Sequence, residues 1–454
     1  MRIKKIIIGA AGPLQDFRLE FGQSKIKHFK KASLNLLVGE NGTGKTTILK
    51  YISRAFFDQT ILSGFSLIYE SNTEGVRLEN ILSEYRQPET YPNKVIVSTY
   101  SPFEQFDGLQ KNQYNPTKYC YVGAMSTKNS YGSTTSLSTA CMPILTTFYH
   151  PYDKKSSAIR ELLREIGILS PPLVELRARS ILKKRDYPNE SDHLAHSLID
   201  KIYNISSYCR NRAANGRNIL VPPDVIEKYY PLGWLGWLED VRELISLPRS
   251  LSPIQSLWFQ TDSNSDPFPM KHLSSGQLSL FFRFFRMLEV IDDNSIILID
   301  EPETHLHPRW AQKYINMIDT VFGEFESHFI IATHSPFIAS DVPREYIIGL
   351  KENDHGKIEQ YNVDDKTMGS DPKEVLQEVF NLDKLVGQFT LKIISDIYKL
   401  IDNYEARLDS RISDNLETAS LLYRAKELYN ELGESHEKYR IFLRLKALET
   451  RKGK

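Results

Sequence analysis

Residues 34–56 read LNLLVGENGTGKTTILKYISRAF, and this stretch decides the fold class. An apolar strand is predicted at Leu34–Val38, and the loop that follows it, Gly39–Thr46, matches G-x-x-x-x-G-K-[ST] in full. Apolar residues at helical spacing follow the loop at Ile48, Leu49, Ile52 and Phe56. A strand, a glycine-rich loop and a helix in this order predict a phosphate-binding loop in an α/β protein.

The chemistry of this loop predicts a nucleoside triphosphate as the ligand. Its glycines let backbone N–H groups close around phosphate oxygens, and the helix N-terminus adds partial positive charge. Lys45 would reach the β- and γ-phosphates, and the Thr46 hydroxyl would bind Mg²⁺. A chance glycine-rich turn before a helix is the alternative. The predicted nucleotide-binding residues of the loop are Gly39, Asn41, Gly42, Thr43, Gly44, Lys45, Thr46 and Thr47.

A second motif, IILIDEP at Ile296–Pro302, predicts the acids that phosphoryl transfer needs. Four apolar residues followed by two carboxylates are typical of a buried strand that carries acids at its C-terminal end, where ligands bind in open α/β sheets. Asp300 would belong to the Mg²⁺ shell, and Glu301 would orient or deprotonate the attacking water. The alternative is an ordinary strand that ends in a solvated acidic turn.

A third motif, LSSGQ at Leu273–Gln277, places Gly276 24 residues before Asp300. A serine–glycine turn that opens a helix can form a second anion nest. Because one nucleotide already has a phosphate loop, the second nest most simply completes a site on another subunit. The alternative is a helix N-cap, for which Ser275 is a candidate. The residues predicted to contact this nucleotide are Ser274, Ser275, Gly276 and Gln277.

A fourth motif, ATHSP at residues 332–336, follows the next predicted strand. A histidine at the ligand edge of the sheet can sense or stabilise a γ-phosphate, which is the role predicted for His334. The alternative is an ordinary histidine in a turn.

Taken in order, these four motifs resemble those of ATP-binding-cassette (ABC) ATPases. More narrowly, the chain resembles the soluble OLD/Rad50/SMC-like branch, which includes ATPase subunits of bacterial antiphage systems such as Septu PtuA and PARIS AriA. The resemblance covers about 1–125 and 255–365. It implies an α/β fold: a P-loop ABC-ATPase head with a mostly parallel core sheet, a helical insert and a helical C-terminal module.

The resemblance also implies a chemistry and an assembly. The cofactors would be ATP and Mg²⁺, and two heads would sandwich two nucleotides in a homodimer or a higher homo-oligomer. Ser274 and Gly276 would contact the γ-phosphate bound at Lys45 of the other head, His334 would be the switch histidine and Glu301 the catalytic base. The segment ETHLHP replaces the Ser-Ala-Leu-Asp loop usual in transport ATPases, which disfavours a transporter. Gln105 is a distant candidate for the coupling glutamine, and Phe17 or Arg18 for adenine stacking.

Composition and charge restrict the classes of protein to which the chain can belong. The 454 residues carry 57 Lys+Arg and 57 Asp+Glu, a balance that disfavours a protein coating nucleic acid everywhere but allows a local basic groove. The chain has three cysteines and no Cys-x-x-Cys pair, so we expect neither a disulfide framework nor a structural zinc site. With no apolar run of about 18 residues, no membrane helix is expected. The basic, apolar start is better explained by a first strand than by a signal peptide, so we expect a cytoplasmic protein.

Four segments are predicted along the chain. They are a first part of the head at 1–125, a Ser/Thr-rich loop with a helical insert at 126–250, the second part of the head at 251–365, and a helical assembly module at 366–454. The loop prediction rests on residues 126–147, of which 11 are Ser or Thr. A hairpin is predicted around the turn at 353–356. A break at Gly433 predicts a helical hairpin near the C-terminus, packed on its own domain or on a partner.

The motifs favour an ATPase that acts through something else. The preferred hypothesis is the sensor or regulatory subunit of a prokaryotic antiphage complex, controlling a separate effector such as a nuclease or toxin. The alternatives are a DNA-repair ATPase of the Rad50/RecF kind, a transporter nucleotide-binding subunit, and a nuclease with an unrecognised site. Nucleic acid remains a candidate partner because basic residues cluster near 177–185 and 210–217, although a solvated helix face explains them as well.

Overall fold

The computed structural model describes most of the chain. The residues described are 1–56, 64–71, 74–78, 91–99, 106, 118–123, 141–147, 153–169, 171–184, 190–209, 217–248, 250–260, 266–304, 306–380, 386–409 and 416–452. The chain folds into two compact units, Met1–Phe380 and Asn381–Lys454.

Strands occur only in the first unit among the described residues. They are β1 Arg2–Ala11, β2 Leu14–Glu20, β3 Ser33–Gly39, β4 Phe65–Ser71, β5 Glu74–Leu78, β6 Lys94–Thr99, β7 Lys118–Gly123, β8 Leu173–Leu176, β9 Ile219–Val221, β10 Ile254–Phe259, β11 Phe268–Pro269, β12 Ser295–Asp300, β13 His328–Ala332, β14 Ile347–Glu352 and β15 Ile358–Asn362.

Helices occur in both units. Besides the short helix at residues 141–147, they are α1 Lys45–Ala55, α2 Lys154–Glu165, α3 Arg179–Lys183, α4 Glu190–Ile202, α5 Pro223–Tyr229, α6 Gly233–Ser246, α7 Ser275–Val290, α8 Pro308–Phe322, α9 Pro336–Ala339, α10 Pro372–Glu378, α11 Gln388–Asp409, α12 Leu416–Glu431 and α13 His436–Lys452.

A seven-stranded sheet of order β15-β14-β3-β13-β12-β6-β7 forms the centre of the first unit. All its pairings are parallel except β14–β15, so the predicted mostly parallel sheet and the hairpin at 353–356 are confirmed. Asp300 pairs with Ala332, which in turn pairs with Leu37. The ends of β12, β13 and β3 therefore lie side by side at one edge, where parallel sheets bind ligands.

Both faces of this sheet are covered, which explains the unbroken apolar runs in β12 and β13. Successive side chains of a strand point to opposite faces. Ile297, Ile299 and Ile331 belong to the core shared with α7 and α8, whereas Leu298 and Ile330 belong to the core shared with α1 and β1. On the second face lies an antiparallel sheet of order β2-β1-β4-β5.

The insert differs from the helical segment that the sequence predicts. Strands β8 to β11 form a separate antiparallel sheet of order β11-β10-β8-β9, so the parallel strands of the second head segment, 251–365, begin only at β12. The carboxylate of Glu175 on β8 accepts hydrogen bonds from Asn218 at 2.7 Å and from the Trp258 indole at 2.7 Å. Four strands of two to six residues are too short to show a periodicity, and side-chain contacts between distant segments hold them together.

Residues 141–147 are helical, and the prediction of a loop or linker was wrong for them. Cys141, Ile144 and Leu145 are buried in the core that contains α7 and α8, and this burial outweighs the polar composition around them. The Ser/Thr-rich residues 124–140 lie outside the described residues.

The second unit is a small helical body. Its helices α11, α12 and α13 bury Ile397, Ile401, Ala425 and Ile441. Helix α12 ends at Glu431 and α13 begins at His436, which confirms the break predicted at Gly433. Helix α10, which the sequence places in the C-terminal module, belongs to the first unit because Val375 is buried in its core. In the described part of the chain, no helix has the length and apolar content to cross a membrane.

Candidate functional site

The glycine-rich loop has a backbone that only glycine adopts readily. Gly39 has φ +153°, and a Cβ at this position would lie 2.4 Å from the carbonyl oxygen of Leu350. Gly44 has φ +86° and stands immediately before α1, where a Cβ would lie 2.9 Å from the side chain of buried Leu14. The glycines therefore serve two purposes, because they give the left-handed turns and allow close packing under β14 and β2.

Lys45 folds back over this loop. Its Nζ donates to the carbonyl oxygens of Gly39 at 2.9 Å and Glu40 at 2.8 Å, and lies 3.4 Å from Thr43 Oγ1. Burial lowers the pKa of Lys45 to about 8, although the carboxylates of Asp300 and Glu301 act in the opposite direction. The ammonium group thus lies among carbonyl oxygens that phosphate oxygens could replace as partners.

Thr46 and Asp300 meet across the sheet edge. The Thr46 hydroxyl lies 3.0 Å and 3.2 Å from the two carboxylate oxygens of Asp300, although 254 residues separate them in sequence. Burial raises the pKa of Asp300 to about 6, while the bond from Thr46 lowers it. A hydroxyl and a carboxylate are hard oxygen ligands of the kind that hold Mg²⁺ together with nucleotide phosphates, so this pair fits the ion. Among the described residues, there is no separate metal-binding cluster made of three or more His, Cys, Asp or Glu side chains.

Glu301 follows Asp300 in a strained conformation. Its φ of +48° is left-handed, a conformation that is uncommon for non-glycine residues and is enriched at functional sites. Its backbone N–H donates to the carbonyl of Ala332 at 2.9 Å, and the Thr304 hydroxyl lies 3.4 Å from its carboxylate. The bond to Ala332 ties the turn after β12 to the end of β13.

Glu303 is a member of the site that the sequence analysis missed. Its carboxylate accepts a hydrogen bond from the Thr333 hydroxyl at 2.9 Å and another from the backbone N–H of His334 at 2.6 Å. Burial raises the pKa of Glu303, and these hydrogen bonds lower it. The third acid of the string DEPE was the available signal, but nothing in its spacing indicates which residues it contacts.

His334 lies on the same edge, half-buried at the end of β13. Burial is the main cause that lowers its pKa, the positive charge of Lys45 is the second, and Glu301 raises it. The imidazole therefore lies within the electrostatic reach of both residues. Lys45, Thr46, Asp300, Glu301 and His334 are brought together as the sequence predicted.

The predicted second nest has a different set of contacts. Ser274, rather than Ser275, is the N-cap of α7, and Gln277 completes a capping box with it. Gln277 Oε1 accepts from the N–H of Ser274 at 2.9 Å, and Gln277 Nε2 donates to the carbonyl of Ile166 at 3.0 Å. Gly276 lies close to Trp310, whose Nε1 would be 3.3 Å from an added Cβ. This turn thus contacts Ile166, directly after α2, and Trp310 on α8, whereas the other motifs meet at the sheet edge.

A buried arginine supports the loop after β12 from the side of α7. Arg283, 1% exposed, donates to the carbonyl oxygens of Pro302 at 2.6 Å and Thr304 at 2.5 Å. Arg283 lies in the aromatic run 281–285, which is buried in the core. Its guanidinium group provides hydrogen-bond donors for the backbone carbonyls of the irregular turn after β12.

Other candidates have structural roles or lie outside the described residues. Phe17 is 2% exposed in the core and is wrong as an adenine-stacking residue, while Arg18 is exposed. His307 of the segment ETHLHP caps α8 by accepting from the N–H of Arg309, and Gln105 lies in the part of the chain that is not described. Arg177 donates to the carbonyl of Ser252. In the described part of the basic cluster, Arg179 and Lys183 both pair with Asp200.

Two family models match the chain. "AAA domain" matches residues 5–141, and "AAA domain, putative AbiEii toxin, Type IV TA system" matches residues 147–341. The matched segments together contain the phosphate loop, the LSSGQ turn, the acidic motif and His334.

Curated relatives are similar over different lengths. "Protein ea59" of Escherichia phage lambda is 22% identical over 396 residues, which are 83% of this chain and 62% of that protein. "Septu protein PtuA" of Bacillus thuringiensis is 30% identical over 118 residues, 25% of this chain and 29% of that protein. The chain thus spans less than two thirds of the length of either relative. The SMC head domain from Thermotoga maritima aligns over 80% of this chain and 100% of its own at 12% identity, with a TM-score of 0.35.

Proposed function

We propose that this chain, an AAA-family ATPase over residues 5–141 and 147–341, binds ATP with Mg²⁺, hydrolyses it, and uses the cycle to regulate a separate effector in a prokaryotic antiphage complex. The single observation that carries the ATPase part is the meeting of Lys45, Thr46, Asp300, Glu301 and His334 at the C-terminal edge of one parallel sheet. The regulatory part is supported by the similarity to Septu PtuA and to retron ATPases, including "Retron Ec83 probable ATPase" of Escherichia coli.

Each residue would have a distinct part in hydrolysis. The loop amides and Lys45 would bind the phosphates, and Thr46 with Asp300 would hold Mg²⁺, which neutralises charge on the phosphate oxygens. Glu301 would orient or deprotonate the attacking water, and His334 would contact the γ-phosphate. Ser274 and Gly276 would reach the nucleotide of a second copy, so that ATP closes a homodimer or a higher homo-oligomer and hydrolysis reopens it.

Two substitutions test the ATPase proposal. Lys45→Ala removes the cation that would contact the phosphates and is expected to abolish measurable ATP binding. Glu301→Gln keeps the size of the side chain and is expected to bind ATP normally while turnover falls at least about a hundredfold. Binding is measured with a fluorescent ATP analogue and turnover by phosphate release. Wild-type turnover in Glu301→Gln would contradict the assignment of the base.

A native pull-down tests the regulatory part. Tagged Glu301→Gln protein is isolated with ATP, which should keep closed heads and any partner that requires them, and Lys45→Ala is the matched control. A stoichiometric nuclease-like or toxin-like chain retained only by Glu301→Gln would support the proposal. Nuclease-sensitive nucleic acid without such a chain would favour the repair-type alternative, and a bare oligomer would refute effector control.

A further inference from the structure

The carboxylate of Glu303 connects two turns that follow neighbouring strands. It lies after β12, and both of its hydrogen-bond donors, the Thr333 hydroxyl and the His334 N–H, lie directly after β13. The bonds are 2.9 Å and 2.6 Å long. Hydrogen bonds to a carboxylate are stronger than those between neutral groups, and both of these are partly buried.

The Thr333 hydroxyl is oriented toward Glu303 by its other neighbour. The backbone N–H of Ser335 donates to Thr333 Oγ1 at 3.0 Å, so the hydroxyl accepts on one side and donates to Glu303 on the other. The backbone N–H of Thr333 donates to the carbonyl of Leu37 on β3 at 3.0 Å, two residues before the phosphate loop. The backbone before and after His334 is therefore held in relation to both β3 and the acidic turn.

We infer that Glu303 is a positioning residue for the hydrolysis proposed above, on which this inference rests: its carboxylate holds the Thr333–His334 backbone so that the His334 imidazole faces the phosphate site. The N–H of Glu301 donates to the carbonyl of Ala332 at 2.9 Å, so the turn that carries His334 is bonded to the turn of the proposed base as well as to β3. A shift of the backbone by about 1 Å at such a site can cost two orders of magnitude in rate.

The contacts of Glu303 suit it to positioning rather than to accepting a proton from water. Each of its two oxygens already accepts a hydrogen bond from the chain. The carboxylate of Glu301, by contrast, has one hydrogen-bond partner among the described residues, the Thr304 hydroxyl at 3.4 Å. Because it keeps acceptor capacity for a water molecule, Glu301 is the better placed base. Glu303 thus acts on the reaction through His334.

The test compares Glu303→Gln with His334→Ala and with the double variant in the full-length protein. The neutral amide offers one acceptor oxygen where two donors converge, so kcat is expected to fall at least about tenfold while KM for ATP stays within about threefold. In the His334→Ala background, Glu303→Gln is expected to change kcat by less than about twofold, because the residue that it positions is already gone.

A second pair of variants keeps the test independent of Glu303 itself. Thr333→Val removes the hydroxyl at equal volume and is expected to lower kcat in the same way, whereas Thr333→Ser keeps the hydroxyl and should recover most of the lost rate. Thermal unfolding of all variants is recorded beside the kinetics. A purely structural role would lower the unfolding temperature and weaken ATP binding together with kcat.

Each outcome has one meaning. A wild-type protein that does not hydrolyse ATP refutes the proposed function and with it this inference. If the wild type hydrolyses ATP and Glu303→Gln keeps the wild-type kcat, the inference alone is refuted. A full tenfold effect of Glu303→Gln in the His334→Ala background refutes it as well, because Glu303 would then act independently of His334.

Discussion

A buried histidine joins the first strand to the central sheet, and its titration gives a quantitative test of the fold. His328 at the start of β13 is 0% exposed. Its Nδ1 accepts the backbone N–H of Ile3 at 3.0 Å, and its Nε2 lies 3.0 Å from Asn35 Oδ1. Because Nδ1 is the acceptor, the proton of the neutral imidazole is assigned to Nε2, which donates to Asn35.

Burial holds the pKa of His328 well below its usual 6.5, and the charges of Arg2, the N-terminus and Lys4 act in the same direction. The folded protein therefore disfavours the protonated form relative to the unfolded chain. The stabilisation is complete above pH 6.5 and falls as the pH drops below 6.5 toward the folded-state pKa. Between pH 7.5 and 5.5 the loss for one such group is about 1.4 kcal/mol.

The matched variant is His328→Gln, which keeps a donor for Asn35 and does not titrate. At pH 7.5 it should be less stable than the wild type by about 1–3 kcal/mol, because the N–H of Ile3 loses its acceptor in the core. At pH 5.5 the difference should shrink by about 1.4 kcal/mol, because only the wild type has a histidine whose protonation favours the unfolded chain.

Urea unfolding followed by tryptophan fluorescence measures these differences. All four tryptophans lie in Met1–Phe380, so the signal reports on the unit that contains His328. Other titrating groups are common to both proteins and cancel in the comparison. A stability difference that is the same at both pH values would refute the reasoning, because it would mean that His328 titrates alike in the folded and unfolded chain.

Two further predictions concern the site and its support. Thr46→Val removes a hydroxyl at equal volume, so the factor by which Mg²⁺ strengthens ATP binding should fall at least about tenfold, whereas Thr46→Ser should keep that factor within about threefold of the wild type. ATP titrations with and without Mg²⁺ measure this factor, and an equal factor in both variants would contradict the prediction. Gln277→Leu loses the capping box with Ser274 and the bond to the Ile166 carbonyl, so the free energy of unfolding should fall by about 1–3 kcal/mol in the same urea assay. Gln277→Glu keeps the cap acceptor and should lose about half as much; unchanged stability in Gln277→Leu would show that the turn does not need these bonds.

Local sequence was sufficient for the elements whose pattern is contiguous. The strand before Gly39, the left-handed glycines and the helix from Lys45 lie within about twenty residues, and each residue type there has few backbone alternatives. The unbroken apolar runs of β12 and β13 are typical of strands covered on both faces, and the sheet contains the two strands as neighbours. Parallel strands that end in polar residues must present them at one edge, which is why the sequence alone could place Asp300 and His334 near Lys45.

Other features depended on contacts between segments far apart in sequence. The helix at 141–147 forms because Cys141, Ile144 and Leu145 reach the core, in a stretch whose composition predicts a loop. The strands of the insert sheet are too short for a period, and Glu175 binds side chains 43 and 83 residues away. Gln277 is occupied by its cap and by Ile166, 111 residues away, a use that the motif LSSGQ does not indicate.

The sequence by itself determined that the chain has a phosphate loop, an acidic strand end and a histidine at one edge of a parallel sheet, because short-range sterics and hydrophobic periodicity specify these elements. Only the tertiary structure decided which acid binds which partner. The motif DEPE does not distinguish the roles of Glu301 and Glu303. In the fold, the left-handed turn at Glu301 and the position of β13 beside β12 bring Glu303 to Thr333 and His334. The order of strands in the sheet sets that position, and strand order is a property of the whole packed core rather than of any local stretch.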